Sequence, residues 1–135
     1  MRLAWLLTGV LCFAAAPAMA QDPVKADPKH FKVELDNDQV RVLRFKGGPH
    51  EKSPMHEHPN TVVVSLTEGH TRFTLPNGKT RETQGKAGNV VWNPAEKHAS
   101  ENLSDKPTEA ILIELKAKPA EAKPAAAKPP AKKSP

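Results

Sequence analysis

Cysteine and aromatic side chains are scarce in this sequence, and long apolar runs are nearly absent. Its 135 residues include one cysteine, no tyrosine and 4% aromatic residues. The single Cys12 lies inside the only long apolar run, which excludes a disulfide-stabilised scaffold. That run is short for a membrane span, so a protein with several membrane-spanning helices is also excluded. The length suits one domain.

Residues 1–20 have the features of an export signal. A positive charge opens them, residues 3–16 are almost wholly apolar, and a small-x-small pattern ends at Ala20. We expect cleavage after Ala20 and a mature protein that is periplasmic or secreted. A lipoprotein anchor through Cys12 is the alternative, disfavoured because Leu11 stands where a small residue is expected. The mature chain would then have no thiol.

Residues 116–135 form a basic tail rich in lysine, alanine and proline. They contain six Lys, one Glu, five Pro and seven Ala, which is typical of a disordered, partly polyproline-II segment. Residues 21–115 hold 13 basic and 14 acidic side chains, so the tail accounts for the high isoelectric point. The tail is either a solubilising spacer or a contact for an anionic envelope surface. Because no aromatics lie between its lysines, specific nucleic-acid binding is not expected.

Residues 31–115, after a lead-in over residues 21–30, have the pattern of an all-β domain. A hairpin is indicated at Pro76-Asn77-Gly78, and many short strands suit a sandwich or small barrel. A domain of this size buries only a modest fraction of its surface, which leaves room for a homodimer through an edge strand. Seven strands are predicted, with a shorter one before Pro59: Phe31–Leu35, Gln39–Lys46, Thr61–Thr67, His70–Leu75, Lys79–Gln84, Asn89–Asn93 and Glu109–Leu115.

Three histidines are candidate metal ligands. His56 and His58 are two residues apart, so in an extended segment both imidazoles project to one face. His98 follows about forty residues later, far enough for a hairpin to bring it beside the pair. Imidazole nitrogen suits Zn, Cu, Ni and Fe(II), and three imidazoles leave coordination positions open.

Two stretches around these histidines resemble the two sequence motifs of the cupin family. The resemblance implies a small β-barrel of the jelly-roll type with a divalent transition metal (Zn, Fe, Ni, Mn or Cu) in its mouth. It implies His56, His58 and His98 as the metal ligands and a small molecule as the bound partner. The stretches are GPHEKSPMHEHPNTVVVSLTEG, residues 48–69, and GNVVWNPAEKHASEN, residues 88–102.

The first stretch departs from the family pattern at one important position. Val62 stands where many cupins have a metal-binding glutamate, and its phase with Val64 and Leu66 predicts that it lines the barrel. Asn60 shares the face of the histidine pair, but an amide is a poor substitute for a carboxylate. The site is therefore either a three-histidine variant or a barrel that has lost its metal. A neutral ligand set leaves a dication its full charge, which favours anionic or oxygen-donor ligands.

Other residues are weaker candidates. His50 and Glu51 are interpreted either as an acid–base pair at the rim or as exposed loop residues. Met55 and Trp92 are candidates for the pocket wall, with simple core packing as the alternative for Trp92. The remaining two histidines, His30 and His70, are interpreted as surface residues.

Two classes of function remain open from the sequence. One is a metal-dependent enzyme acting on small molecules, an oxygenase, isomerase or hydrolase. The other is a non-catalytic envelope protein that binds a metal or a small ligand. Few acid or base side chains accompany the histidines, so the enzyme status is left undecided.

Overall fold

Two antiparallel sheets and one short helix make up the domain. The computed structural model describes residues 21–117, so the predicted signal segment and the predicted tail from residue 118 onward lie outside it. The four-residue helix α1, Pro23–Ala26, is the only helix among residues 21–117, and none there could cross a membrane. The strands are Phe31–Asp36 (β1), Val40–Gly47 (β2), Lys52–His58 (β3), Thr61–Ser65 (β4), Gly69–Thr74 (β5), Thr80–Gly85 (β6), Val90–Asn93 (β7), Glu96–Asn102 (β8) and Thr108–Leu115 (β9).

The strand order is that of a jelly roll. One sheet has five strands in the order β1-β2-β9-β4-β7, and the other has four in the order β3-β8-β5-β6. Strands distant in sequence are therefore neighbours in space, and side chains from both sheets line one cavity between them. The predicted all-β, jelly-roll architecture is confirmed.

All seven predicted strands are present with shifted ends, and one further strand was not predicted. The short strand expected before Pro59 is β3, and the expected hairpin joins β5 to β6 with Gly78 at a φ of 79°. Strand β8 was not predicted because its sequence, EKHASEN, has no large apolar residue. It forms a strand because it pairs with β3 on one side and β5 on the other, and not because its residues favour a strand.

The apolar core within the described domain is small. Its buried hydrophobic side chains are Phe31, Leu43 and Leu112, with Val63 and Phe45 partly buried against them. Aliphatic burial of this extent stabilises the fold by only a few kcal/mol per side chain. A cavity adjoins this core, and Phe31 and Leu112 form part of its wall.

The lead-in segment docks on the barrel through its helix. The Asp22 carboxylate accepts hydrogen bonds from the backbone N–H groups of Val24, at 3.0 Å, and Lys25, at 3.2 Å, and so caps α1. Val24 packs against the core, and the carbonyl of Gln21 accepts a bond from the Glu57 N–H on β3. Residues 21–30 are thereby attached to the same strand that carries two of the histidines.

The prediction that Val62, in phase with Val64 and Leu66, lines the barrel is wrong. The cavity is lined instead by the alternate residues of β4, Thr61 and Val63, followed by Ser65 and Thr67. The three aliphatic side chains therefore point away from the cavity, since successive residues of a strand face opposite sides. The error comes from assuming that the apolar face of a strand must be the interior one.

We predict that Leu43→Ala lowers the free energy of unfolding by roughly 2–5 kcal/mol, because it leaves a cavity in a core of three residues. Val33→Ala, opposite Leu43 on β1 and 39% exposed, should cost less than 1 kcal/mol. Urea denaturation of both variants measures the difference. Equal losses would mean that the core is not where the structure places it.

Candidate metal centre

Three histidines from two neighbouring strands meet in the interior. His56 on β3 lies opposite His98 on β8, and His58 follows two residues later on the same face of β3. One ring nitrogen from each lies within 4.8 Å of the others, and all three side chains are buried. The ring centroids are separated by 4.8 to 5.5 Å. The geometry brings together all three of the predicted ligands.

A hydrogen bond at Nδ1 fixes the orientation of each ring. His56 Nδ1 donates to the Pro54 carbonyl at 2.7 Å, and His58 Nδ1 donates to a Glu114 carboxylate oxygen at 2.7 Å. His98 Nδ1 donates to Glu96 at 2.9 Å. Because carbonyl and carboxylate oxygens only accept, each neutral ring carries its proton on Nδ1 and its lone pair on Nε2. The tautomers therefore leave three Nε2 atoms free to bind one ion.

The Nε2 atom of His56 shows that these residues fit a metal. It is buried and has no hydrogen-bond partner in the described part of the chain. An unpaired buried acceptor is costly, and a bound cation would satisfy it together with the other two lone pairs. Imidazole-only sets suit Zn, Cu, Ni and Fe(II) rather than Mg or Ca. The cluster has the ligand types and burial of a transition-metal site.

The carboxylate that orients His58 is itself held by a buried ion pair. Arg41 Nε donates to Glu114 Oε2 at 2.6 Å, and Arg41 Nη1 donates to Asp22 at 2.5 Å. Burial alone would raise the pKa of Glu114, but the bonds from His58 and Arg41 bring it below its ordinary value. Glu114 therefore stays ionised and keeps accepting from His58.

The carboxylate that orients His98 is held in the same way. Arg81 Nη2 donates to Glu96 Oε1 at 2.5 Å, and the guanidinium lies over the Phe73 ring, 4.4 Å from its centroid. Burial acts to raise the pKa of Glu96, and the bonds from Arg81 and His98 outweigh it, so the pKa is lowered. Phe73 also contacts the His98 ring edge-on. Two of the three histidines are thus each supported by a glutamate and an arginine.

A buried polar cluster lies beside His56. Asp27 Oδ2 accepts from Ser53 Oγ at 2.5 Å and from His30 Nδ1 at 2.7 Å. His30 Nε2 contacts Glu51 at 2.8 Å, and Lys29 bonds to Glu51, which lowers the pKa of that carboxyl to about 2. The interpretation of His30 as a surface residue is wrong, because it is 7% exposed and lies between two carboxylates. Nothing in its immediate sequence signals that burial.

The remaining sequence candidates lie away from the cluster. His50 is exposed and contacts Asp105, and His70 pairs with Glu82. Trp92 is 54% exposed on the outside of β7, and Met55 is not in the cavity wall. Asn60 accepts a bond from the Ala95 N–H and so joins two loops instead of facing the histidines.

Burial disfavours protonation of two of the rings. The pKa of His98 falls to about 4, chiefly because burial penalises the charged ring, and the bond to Glu96 only partly opposes this. Burial also lowers the pKa of His56, with a further contribution from the charge of His58. Neutral imidazole is the form that binds a metal, so both rings stay competent in mildly acidic solution.

A cavity of about 220 Å³ adjoins the three histidines. Hydroxyl and amide side chains form much of its wall, with Phe31, Phe45 and Phe73 as its aromatic part. The polar wall residues include Thr61, Ser65, Thr67, Thr71, Thr83, Gln84, Asn89, Asn93 and Ser100. Apolar atoms make up most of the wall surface, so the wall suits a small molecule that carries both apolar and polar groups.

Sequence reasoning missed the two glutamates and their arginines. Glu114 did carry a signal: it interrupts the apolar segment Ile111–Leu115, and it shares a phase with Leu112. A charged residue at a core-facing position of a strand is uncommon unless it is paired. Arg41 and Arg81 carried none, because each reaches its partner across strands distant in sequence.

Comparison with solved structures agrees with this fold. A cupin domain from Bordetella pertussis Tohama I is 29% identical, with a TM-score of 0.60 over 64% of this chain and 92% of that one. An RmlC-like cupin family protein with a double-stranded β-helix fold from Methanocaldococcus jannaschii is 16% identical, with a TM-score of 0.51 over 63% and 77%. No protein-family model and no curated protein matches the chain.

The class defined by fold and site is a small jelly-roll barrel with three interior histidines. Together with the structural matches, this shows that the described domain has the cupin fold and belongs to the cupin superfamily. Its three-histidine cluster is of a kind that could bind a metal.

We predict that the metal-free protein loses stability as the pH falls from about 6.5 to 4. His98 in the unfolded chain binds a proton near pH 6.5, whereas in the folded site its pKa is about 4, so acid favours unfolding. This group contributes at most about 3 kcal/mol. Urea denaturation in the presence of a chelator, at pH 7.5 and 4.5, measures the loss.

His98→Asn should reduce that loss, and His70→Asn, on the outside of β5, should not. An unchanged pH dependence in His98→Asn would contradict the assignment.

Proposed function

We propose that this protein is an exported cupin that holds a divalent transition metal at His56, His58 and His98 and binds a small oxygen-donor ligand in the adjoining cavity. The observation that carries the proposal is the buried, unpaired Nε2 of His56 beside two further imidazoles with fixed tautomers. When bound, the ion supplies Lewis acidity and an open position for an oxygen donor. The candidate metals are Zn, Fe, Ni, Mn and Cu.

The charge and size of the cavity restrict the ligand. Three neutral imidazoles leave the charge of a dication uncompensated by its direct ligands, which favours an anionic oxygen donor. The cavity is smaller than the roughly 300–1,000 Å³ of sites for drug-sized molecules. Arg81 adds N–H donors to the wall, of which one bonds to Glu96. A small hydroxylated acid has the matching chemistry.

One observation favours a second candidate, ligand binding without turnover. The carboxylates bonded to the histidines, Glu96 and Glu114, are each committed to a histidine and an arginine. Their lowered pKa values make them poor proton donors at neutral pH. Neither is therefore suited to act as a general acid. A non-catalytic envelope protein that binds a metal or small ligand accounts for this arrangement.

Export and the basic tail complete the proposal. The features of residues 1–20 support a periplasmic or secreted location, and the six lysines of residues 116–135 support a salt-sensitive contact with anionic envelope surfaces. The tail continues directly from the barrel: the Lys116 N–H bonds to the Gln39 carbonyl at 2.9 Å.

We predict that His56→Ala and His98→Ala each lower the affinity for a transition metal by roughly 100-fold or more. Loss of a group that only hydrogen-bonds to a ligand typically lowers metal affinity by roughly 10–100-fold, and loss of the ligand itself should cost more. Elemental analysis after incubation with Zn²⁺ and gel filtration measures the retained metal. His70→Ala, which removes an imidazole from the outside of β5, should keep wild-type metal content. Equal metal in all four proteins would refute the metal site.

A second prediction concerns the carboxylate behind His58. Glu114→Gln should weaken Zn²⁺ affinity by roughly 10–100-fold while the protein stays folded, because the negative charge that strengthens His58 as a ligand is lost. Glu109→Gln, on the same strand as Glu114 but bonded to Arg44 of β2 and to no histidine, is the matched control and should change affinity less than threefold. Competition with a chromogenic chelator gives both values, and similar losses in the two variants would contradict the role of Glu114.

A further inference from the structure

Two of the three candidate metal ligands lie on a strand at the edge of its sheet. Strand β3 pairs with β8 on one side and with no other strand of the described chain. Its ladder with β8 is also interrupted by a bulge of one extra residue between Ser53 and His56. Pro54 lies in this bulge and has no N–H to donate. The sheet therefore holds His56 and His58 from one side only, through a broken ladder.

The lead-in segment covers the free side of β3. The Gln21 carbonyl accepts a bond at 3.0 Å from the N–H of Glu57, the residue between the two histidines of this strand. Helix α1 then contacts both β3 and β1. Near the end of the segment, Asp27 accepts a bond from Ser53, three residues before His56. The segment is thus attached to β3 at both of its ends.

The first anchor of the segment is Asp22, whose two carboxylate oxygens have separate partners. Oδ1 accepts from two backbone N–H groups of α1, and Oδ2 accepts from Arg41 Nη1 at 2.5 Å. Burial acts to raise the pKa of Asp22, but the bonds from Arg41 and from α1 outweigh it, so the pKa is lowered and the carboxylate is ionised. Arg41 also bonds to Glu114, which accepts from His58. Three hydrogen bonds in series therefore join Asp22 to His58.

The charge of Asp22 affects how strongly Glu114 accepts from His58. Two carboxylates share the single guanidinium of Arg41, so the three groups together carry a net charge of −1. Without the charge of Asp22, Arg41 would pair with Glu114 alone and neutralise it more completely, which would weaken the bond from His58. A dication at the histidines would also lose the attraction of the remaining negative charge. Loss of that charge should therefore weaken metal binding.

The second anchor is Asp27, which is 6% exposed. Its Oδ2 accepts from Ser53 Oγ at 2.5 Å, and the same hydroxyl oxygen lies 3.5 Å from His56 Nδ1. His30 bonds to the same Asp27 oxygen and, through its other ring nitrogen, to Glu51. Asp27 thus holds Ser53 at the bulge directly before His56, where the ladder gives no support. None of these groups except His56 lines the cavity, so contact with a ligand there does not explain their burial.

We propose that the lead-in segment is a positioning element of the metal centre, and that its docking and metal binding strengthen each other. Asp22 acts on His58 from one end of the segment. Asp27 acts on His56 from the other end. The coupling is reciprocal: the factor by which docking raises the affinity for the metal is the factor by which bound metal favours docking. This inference rests on the proposed function, since it requires a metal at the three histidines.

Two substitutions of Asp22 separate its charge from its role as a helix cap. Asparagine caps a helix as well as aspartate but is neutral, whereas glutamate keeps the charge and is not a preferred cap. Asp22→Asn should lower Zn²⁺ affinity by roughly 3–10-fold, and Asp22→Glu should stay within about twofold of wild type. Competition with a chelator measures these affinities. The visible absorption of bound Co²⁺, which reports the ligand field, should shift in Asp22→Asn and return in Asp22→Glu.

A matched control and the reverse result make this test decisive. Asp36→Asn also removes a carboxylate bonded to a cation, Lys116, but lies on β1 away from the histidines, and it should bind Zn²⁺ as wild type does. Circular dichroism reports whether each variant is folded. A loss of affinity in Asp22→Glu with none in Asp22→Asn would assign Asp22 to helix capping alone and overturn its positioning role.

Hydrogen exchange tests the reciprocal effect. Zn²⁺ should slow exchange of the N–H groups of Ala26, Asp27 and His30, whose bonds lie within the lead-in segment, by about threefold or more. The Gly78 N–H in the β5–β6 hairpin is the control and should exchange at the same rate with and without Zn²⁺. Unchanged exchange in the lead-in segment of wild-type protein that binds Zn²⁺ would overturn this inference alone. Failure of the wild type to retain Zn²⁺ would overturn the proposed function and this inference with it.

Discussion

The strict alternation of side chains along β9 links the interior of the protein to its surface. Leu112 and Glu114 face inward, where one fills the core and the other bonds to His58. Ile111 and Ile113 face the opposite way and pair with Val64 and Val62 on β4. A shift of the strand by one residue would exchange these two sets and destroy both. The register of β9 between β2 and β4 is therefore the constraint on which the site depends.

The site also depends on the way its buried charges are compensated. A lone carboxylate at the position of Glu114 would be expensive to bury, and the ion pair with Arg41 offsets part of that cost. Arg41 in turn needs Asp22, whose other carboxylate oxygen caps α1. The lead-in segment thus takes part in orienting His58, although it contributes no ligand itself.

The sequence was sufficient to predict the ligands but not what surrounds them. His56 and His58 were identifiable because period-two spacing survives in any strand, and the family motifs added His98. The outward direction of Val62 could not be deduced, since amphipathic patterning shows that a strand has two faces but not which one is interior. Here the polar face is the interior one, because it lines a cavity and not a packed core. The partners of His30 were equally hidden, since Glu51 is 21 residues away in sequence.

The three histidines are not equivalent, and the difference follows from their hydrogen bonds. His58 and His98 donate to ionised carboxylates, which makes each ring a stronger electron donor. His56 donates to the neutral carbonyl of Pro54, and its link to a carboxylate is indirect, because Ser53 Oγ lies 3.5 Å from its Nδ1 and donates to Asp27.

This asymmetry has a consequence for the candidate metal centre. The ring with the weakest electronic support is also the least exposed, at 1% of its surface, and its Nε2 is the atom left without a partner. At this position burial makes up for the lower basicity of the ring. An imidazole that cannot reach water has no water molecule competing for its Nε2 lone pair. If a metal binds here, the two carboxylate-supported rings would be its stronger donors, and the buried His56 would keep water away from its own Nε2.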